Sequence, residues 1–251
     1  MKTVFITGAT SGIGKEFAAR YAQMGYDLIL HGRNKKVLKE LQESLRVSVE
    51  ILTADLSQRS ECFRLLDAVK DRNIDIFINN AGFGVAGKFL ETDLNRELQM
   101  LDVNDGAMHV MFKGILKQMQ AGNQGTIVNV ASSAGLFPGG PYMASYYAGK
   151  AYMVSLTRAV AQELREAGSK VYVCALCPGP VDTNFNNTAN VVFSLKGISA
   201  EKCVDDCLKL MEKRKTIIVP SVKMRLATSL SHLVPIPLLV KMTGNQQKKK
   251  L

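Results

Sequence analysis

The feature that most narrows what this chain can fold into is an alternation. Short runs of β-branched and aliphatic residues are separated, again and again, by stretches with the spacing of a one-sided helix. The runs cover residues 2–7, 28–31, 47–52 and 75–79, and the helical stretches 14–24, 35–45 and 60–70. A second series follows, with a helical stretch near 104–119, a run at 125–131, a long helix over about 145–165 and a run at 170–176. Strands joined through helices lie parallel, and right-handed crossovers put helices on both faces. The pattern predicts an α/β fold with a doubly wound parallel sheet in three layers.

After Pro178 the pattern changes, and Gly179, Pro180, Asn184, Asn186, Asn187 and Asn190 punctuate a connection. Ser199, with Glu201 close behind, predicts the start of a helix running through about Lys213, and residues 216–220 read as a last strand. No repeat or linker divides the chain. Residues 1–251 are read as a single domain in which 184–251 forms a substrate lid and C-terminal segment.

Hydrophobic residues at 47% and charged residues at 22% exclude a disordered chain or a fibre. The net charge of +10 suits an anionic small molecule, and basic residues are not interleaved with aromatics, so nucleic acid is not an expected partner. Lys248, Lys249 and Lys250 read as a solvated end. Residues 226–242 are the most apolar stretch, but Pro235 and Pro237 interrupt any helix there. That stretch is expected to cover a substrate pocket or a subunit contact rather than a membrane. Five cysteines without a signal-peptide pattern after Met1 point to a reducing cytoplasm. Cys174, Cys177, Cys203 and Cys207 have spacings that a zinc site could use, yet the first pair ends an apolar strand and reads better as buried thiols; no metal is expected.

Chemistry concentrates after the first strand, in Thr7-Gly8-Ala9-Thr10-Ser11-Gly12-Ile13-Gly14-Lys15. Glycines at a strand-to-helix turn permit positive φ and let backbone N–H groups approach a pyrophosphate at the positive end of the next helix. At the end of the second strand stands Leu30-His31-Gly32-Arg33-Asn34, with no carboxylate to take a ribose 2′-hydroxyl. Arg33 can instead form charge-assisted bonds to a 2′-phosphate, which favours NADP(H) over NAD.

The spacing of Gly8, Gly12 and Gly14, the segment Asn79-Asn80-Ala81-Gly82, and Ser133, Tyr146 and Lys150 in the order S-x12-Y-x3-K resemble the short-chain dehydrogenases/reductases, a family with the Rossmann fold. The resemblance is dense over residues 1 to about 183. It implies that Gly8, Thr10, Ser11, Gly12, Ile13 and Gly14 hold the cofactor phosphates, that Asp55 and Leu56 meet the adenine, and that Asn80 lines the adenosine ribose. It implies further that Pro178, Val181 and Thr183 meet the nicotinamide end. The catalytic set would be Asn104, Ser133, Tyr146 and Lys150, with Tyr146 and Lys150 also touching the cofactor. On a helix, Lys150 lies one turn from Tyr146, and its ammonium would lower the phenol pKa towards the working pH. Ser133 would polarise a carbonyl oxygen, and Asn104 would support a water linking Lys150 to solvent. Gly149, just before the lysine, departs from the family's usual residue at an expected cost of about 1 kcal/mol in helix propensity, with the chemistry untouched.

The implied reaction is reduction of a carbonyl to an alcohol, or its reverse. Phe83, Val85, Phe89, Leu136, Phe137, Tyr142, Val191, Val192 and Phe193 make the expected substrate region apolar, open to a hydrophobic ketone, a steroid-like alcohol or an acyl thioester. A catalytically idle cofactor-binding sensor or scaffold is the alternative. The resemblance also implies a homodimer or homotetramer through the helix carrying Tyr146 and Lys150 and the helix before it.

Overall fold

Alternation within each strand sorts its side chains onto two faces. In β1 (Thr3–Ile6), Val4 and Ile6 join one buried cluster while Phe5 joins the other. The computed structural model describes residues 2–183 and 197–248. Seven strands form one parallel sheet: β1, β2 (Asp27–Gly32), β3 (Val49–Thr53), β4 (Ile76–Asn79), β5 (Thr126–Val130), β6 (Tyr172–Leu176) and β9 (Ile217–Ile218), in the order β3-β2-β1-β4-β5-β6-β9. Two short strands, β7 (Val181–Asp182) and β8 (Ile198–Ser199), pair separately.

The Phe5 face carries Phe77, Ile127 and Val173, covered by α3 (Arg59–Val69), α5 (Met108–Ala121) and α6 (Ala144–Glu166). The Val4 face carries Leu28, Ile78, Val128 and Cys174, covered by α1 (Gly12–Gln23), α2 (Lys35–Ser44) and α7 (Ala200–Glu212). Each large side chain buried in these layers contributes roughly 1.5–3 kcal/mol. The sheet order reverses between β1 and β4, so the loops leaving their carboxyl ends diverge and open a crevice.

The doubly wound fold is as the alternation predicts. The predicted helix near 104–119 is instead a π-helical turn (Asp102–Ala107) running into α5, and a further helix, α4 (Leu94–Leu101), leads directly into that turn. Asp93 starts α4 by accepting from the Arg96 N–H at 2.7 Å. Ser199 caps α7 as expected, accepting from the Lys202 N–H at 3.1 Å. Pro235 and Pro237 do not prevent helical structure in the tail. α8 (Val222–Leu230) and a 3-10 turn (Ser231–Leu233) precede Pro235, and α9 (Ile236–Lys248) begins after it. Pro237 lies in the first turn of α9, where its missing N–H leaves no bond unmade.

Cys174 and Cys177 lie on opposite faces of the sheet, because three residues along a strand reverse the side-chain direction. All five cysteines are free and buried, and burial pushes Cys174 and Cys177 each up to about 12. The Asn-rich connection from Asn184, with Val191, Val192 and Phe193, lies outside the described residues.

Candidate active site

The glycine loop is shaped by what cannot be there. Gly8 and Gly12 have φ of 66° and 53°. A Cβ on Gly14 would stand 2.3 Å from the Gly8 carbonyl oxygen, and one on Gly8 would stand 2.9 Å from the Ala81 Cα. The loop is pinned from β4: Thr7 Oγ1 accepts from the Asn80 and Ala81 N–H groups at 2.9 and 3.1 Å, and Asn80 Nδ2 donates to the Thr7 and Gly8 carbonyls at 2.9 and 3.1 Å. Asn80 therefore braces the loop. Ser11 stands at the N-cap of α1 without a side-chain cap bond, and the first turn holds no acidic residue. The positive end of the helix is left for an anion.

His31, which sequence reasoning passed over, sits behind this loop. Its Nδ1 accepts from the Gly8 N–H at 3.5 Å and its Nε2 pairs with the Ala54 carbonyl at 3.1 Å. The two contacts require a neutral ring protonated on Nε2, and burial lowers its pKa to about 4. Arg33 is exposed beside it and lines the same cavity, whereas Asn34 is spent on capping α2 through the Lys36 and Val37 N–H groups. Asp55 accepts from the backbone N–H and the hydroxyl of Ser57, holding the turn after β3 next to the cavity wall.

One cavity of about 680 Å³ runs from this loop across the ends of β4 and β5 to the tail helices. Gly8, Thr10, Ser11, Gly12, Ile13, Arg33, Asp55, Leu56 and Asn80 line one end, and Pro178, Val181 and Thr183 flank it. A Cβ on Gly12 would lie 3.2 Å from Thr183 Cβ, so that contact also depends on a glycine. Gly14 is the one predicted loop residue behind the wall rather than on it.

Tyr146 and Lys150 project into the middle of the cavity, 8% and 5% exposed, with the ammonium 5.7 Å from the phenol ring centre. Lys150 Nζ donates to the Val130 carbonyl at 3.0 Å. Asn104 is held in the π-helical turn by both polar groups of Phe83, accepting from its N–H at 3.0 Å and donating to its carbonyl at 2.8 Å. A Cβ on Gly82 would come 2.7 Å from Asn104 Oδ1 and 3.8 Å from Lys150 Nζ, so only glycine fits between them.

Two expectations change here. The hydroxyl bonded to Tyr146 belongs to Ser132, not Ser133. Ser132 is the extended N-cap of the 3-10 turn Ser133–Leu136, and Ser133 starts the turn itself, its N–H bonded to the Pro178 carbonyl at 2.8 Å. Both serines line the cavity, and the hydroxyl that meets the phenol stands one position before the serine that the S-x12-Y count selects. The pKa of Tyr146 is also not lowered. Burial pushes it up to about 12, opposed by the Ser132 bond, and burial lowers Lys150 to about 8, opposed by Asp105.

Asp105 explains Gly149. A Cβ there would stand 2.5 Å from Asp105 Oδ2, so the glycine makes room for a carboxylate rather than merely weakening a helix. Burial raises Asp105 to about 6, against the pull of Lys150, and its buried Oδ1 has no hydrogen-bond partner among the described residues. The start of α6 is anchored by Glu97, which accepts from the Thr92 and Ser145 hydroxyls. Tyr147 faces the tail, its hydroxyl accepting from Gln247 Nε2 at 2.5 Å.

The sequence profile described as short chain dehydrogenase matches residues 2–191. Over 185 residues the chain is 34% identical to an uncharacterized oxidoreductase of Staphylococcus epidermidis, covering 72% of this chain and 79% of that one. It is 30% identical over 192 residues to a 3-oxoacyl-(acyl-carrier-protein) reductase of Rickettsia prowazekii, covering 75% and 76%. Among solved structures, a short-chain dehydrogenase from Sphingobium yanoikuyae in complex with NADPH superposes with a TM-score of 0.82 at 29% identity, covering 93% and 95%. One from Burkholderia phymatum in complex with NAD gives 0.83 at 26% identity, covering 92% and 93%. The glycine loop, the Tyr146–Lys150 pair on one helix face and these matches place this chain in the short-chain dehydrogenase family of oxidoreductases.

Proposed function

We propose that the protein is an NADP(H)-dependent oxidoreductase that interconverts a carbonyl and an alcohol on an apolar substrate. The observation that carries this reading is the hydrogen-bonded Tyr146–Ser132 pair beside Lys150, in one cavity with the glycine loop. The loop, its unacidic helix start and the glycine-only contacts at Gly12 and Gly14 fit a dinucleotide, and Arg33 fits its 2′-phosphate. A nicotinamide cofactor bound there supplies the hydride.

Tyr146, kept neutral by burial, holds the proton that a developing alkoxide takes up. The Ser132 hydroxyl, already turned to the phenol, polarises the same oxygen. Lys150, with a pKa near 8, exchanges protons close to neutral pH and resupplies the phenol. Asn104, locked onto Phe83, holds the approach to Lys150 open beside Gly82. Phe83, Phe137, Met143, Met224 and Leu239 make much of the remaining wall apolar, beside the polar Ser231, Thr243 and Gln247, which suits a hydrophobic ketone, a steroid-like alcohol or an acyl thioester. Five buried free thiols suit a reducing, cytoplasmic setting. A homodimer or homotetramer would use the α5 and α6 face, where exposed Tyr152 bonds His109 at 2.5 Å.

The test is a panel of those three carbonyl classes with NADPH and with NADH, followed by absorbance of the reduced nicotinamide. Turnover with NADPH preferred is expected, and Arg33→Ala should cut that preference about tenfold or more. Cofactor binding without turnover of any class would replace this reading with the idle sensor.

A further inference from the structure

Charge is distributed very unevenly along the chain. Residues 213–251 contain nine Lys or Arg and no Asp or Glu, while residues 1–212 contain 23 Lys and Arg against 22 Asp and Glu. Nearly the whole net charge of +10 therefore belongs to the tail, which also carries half of the large apolar side chains exposed among the described residues. Leu226, Leu230, Leu233, Ile236, Leu238 and Met242 are each at least half exposed, with Leu233 at 81%. Lys223, Arg225, Lys241 and Lys248 stand exposed among them on the same two helices.

This apolar surface is continuous with the cavity. Leu230 and Met242 are both exposed and part of the cavity lining, so they lie at its mouth. Behind them Met224, Ala227, Val234 and Leu239 carry the apolar wall inward. Exposed leucines flanked by cations, without acids, are what an interfacial helix offers a bilayer: side chains for the acyl boundary and charges for lipid phosphates.

We propose that α8, the 3-10 turn and α9 dock onto an anionic phospholipid surface, with the cavity mouth turned to the bilayer so that an apolar substrate enters from the lipid. No described helix is long and apolar enough to cross a membrane, so the contact is one of lying on the surface. A second copy of the chain is a poorer occupant, because it would bring the same cations against these. Nucleic acid would answer the charge but leave the leucines in water. The route of entry rests on the carbonyl-reductase reading, whereas the docking does not.

The test is co-sedimentation of the full chain with vesicles of phosphatidylcholine alone and of equimolar phosphatidylcholine and phosphatidylglycerol. Binding to the mixed vesicles should exceed binding to the neutral ones about tenfold or more, and salt of about 1 M should release most of it. The pair Leu226→Glu and Leu233→Glu, and separately Lys223→Glu and Arg225→Glu, should each lower the bound fraction about tenfold. Thermal unfolding and turnover of a water-soluble carbonyl should stay at parent level. Should the leucine pair fail to fold, the charge pair carries the test alone. Equal binding to both vesicle types, or variants that bind like the parent, would overturn the proposal. So would sedimentation showing that the leucine pair dissociates an oligomer while vesicle binding persists, since the face would then be a subunit contact. Because vesicle binding is read without any carbonyl present, loss of docking and loss of the enzymatic reading are separate results.

Discussion

At the loop end of the cavity the decisive positions are places where no side chain fits, whereas at the tail end the decisive features are the side chains themselves. Gly8, Gly12, Gly14 and Gly82 let backbone and polar groups approach to distances that a Cβ would forbid. Met224, Leu230, Leu239 and Met242 instead reach the cavity from helices more than 200 residues further along the chain than Gly14. The first end tolerates almost no substitution because backbone cannot move aside, while the second can exchange one apolar side chain for another at small cost. Such a division lets one end be fixed while the other varies, and Ser132, Tyr146 and Lys150, the residues proposed to react, stand at the join.

The sharpest way to probe the join is Tyr146→Phe, which should lower kcat by roughly 10²–10⁴ with cofactor affinity retained. Equal kcat in the variant would remove Tyr146 as proton donor. Next in size, Ser132→Ala should cost about 10²-fold in kcat and Ser133→Ala only a few-fold. The reverse ranking would restore the spacing-based assignment to Ser133.

The loop end has its own pH signature. His31 titrates near 6.5 in the unfolded chain but only near 4 when folded. Below pH 6.5 the unfolded state takes up a proton that the folded state refuses, so stability is full above that pH and falls as pH drops towards 4. The amount is about 3 kcal/mol. His31→Gln keeps a donor and an acceptor without titrating, and urea unfolding between pH 4 and 7 should show a shallower slope than the parent; parallel curves would rule the role out. Smallest is Gly149→Ala. Helix propensity alone predicts a gain of about 1 kcal/mol, but the Asp105 carboxylate in the way predicts a loss of about 1–3 kcal/mol. Adding Asp105→Ala should recover most of that loss, and a stabilised single variant would show that the carboxylate moves aside freely.

Legibility followed the same division. The sheet could be read from the alternation of runs, because strand and helix periods are local and each is set by which face is buried. The loop could be read because a glycine needed for positive φ or close approach leaves its mark at that position. Which serine meets Tyr146 was not legible, because Ser132 and Ser133 both line the cavity and counting residues does not say which hydroxyl turns to the phenol. Asp105 and His31 gave no signal of their own: each matters through a partner remote in sequence, Gly149 in one case and the Gly8 N–H with the Ala54 carbonyl in the other. The division of the helical stretch near 104–119 into the π-helical turn and α5 was hidden too, since periodicity does not distinguish a π-helical turn from α-helix.

Sequence by itself determined the layered fold, the phosphate-type loop and the Tyr146–Lys150 pair, all of which depend on residues within one or two turns of each other or on a repeating period. Only the tertiary structure decided which serine meets Tyr146, which way burial moves the phenol and ammonium, and that the basic, leucine-rich tail frames the mouth of the cavity. Those outcomes depend on desolvation and on contacts between segments that only the fold brings together, which no local pattern encodes.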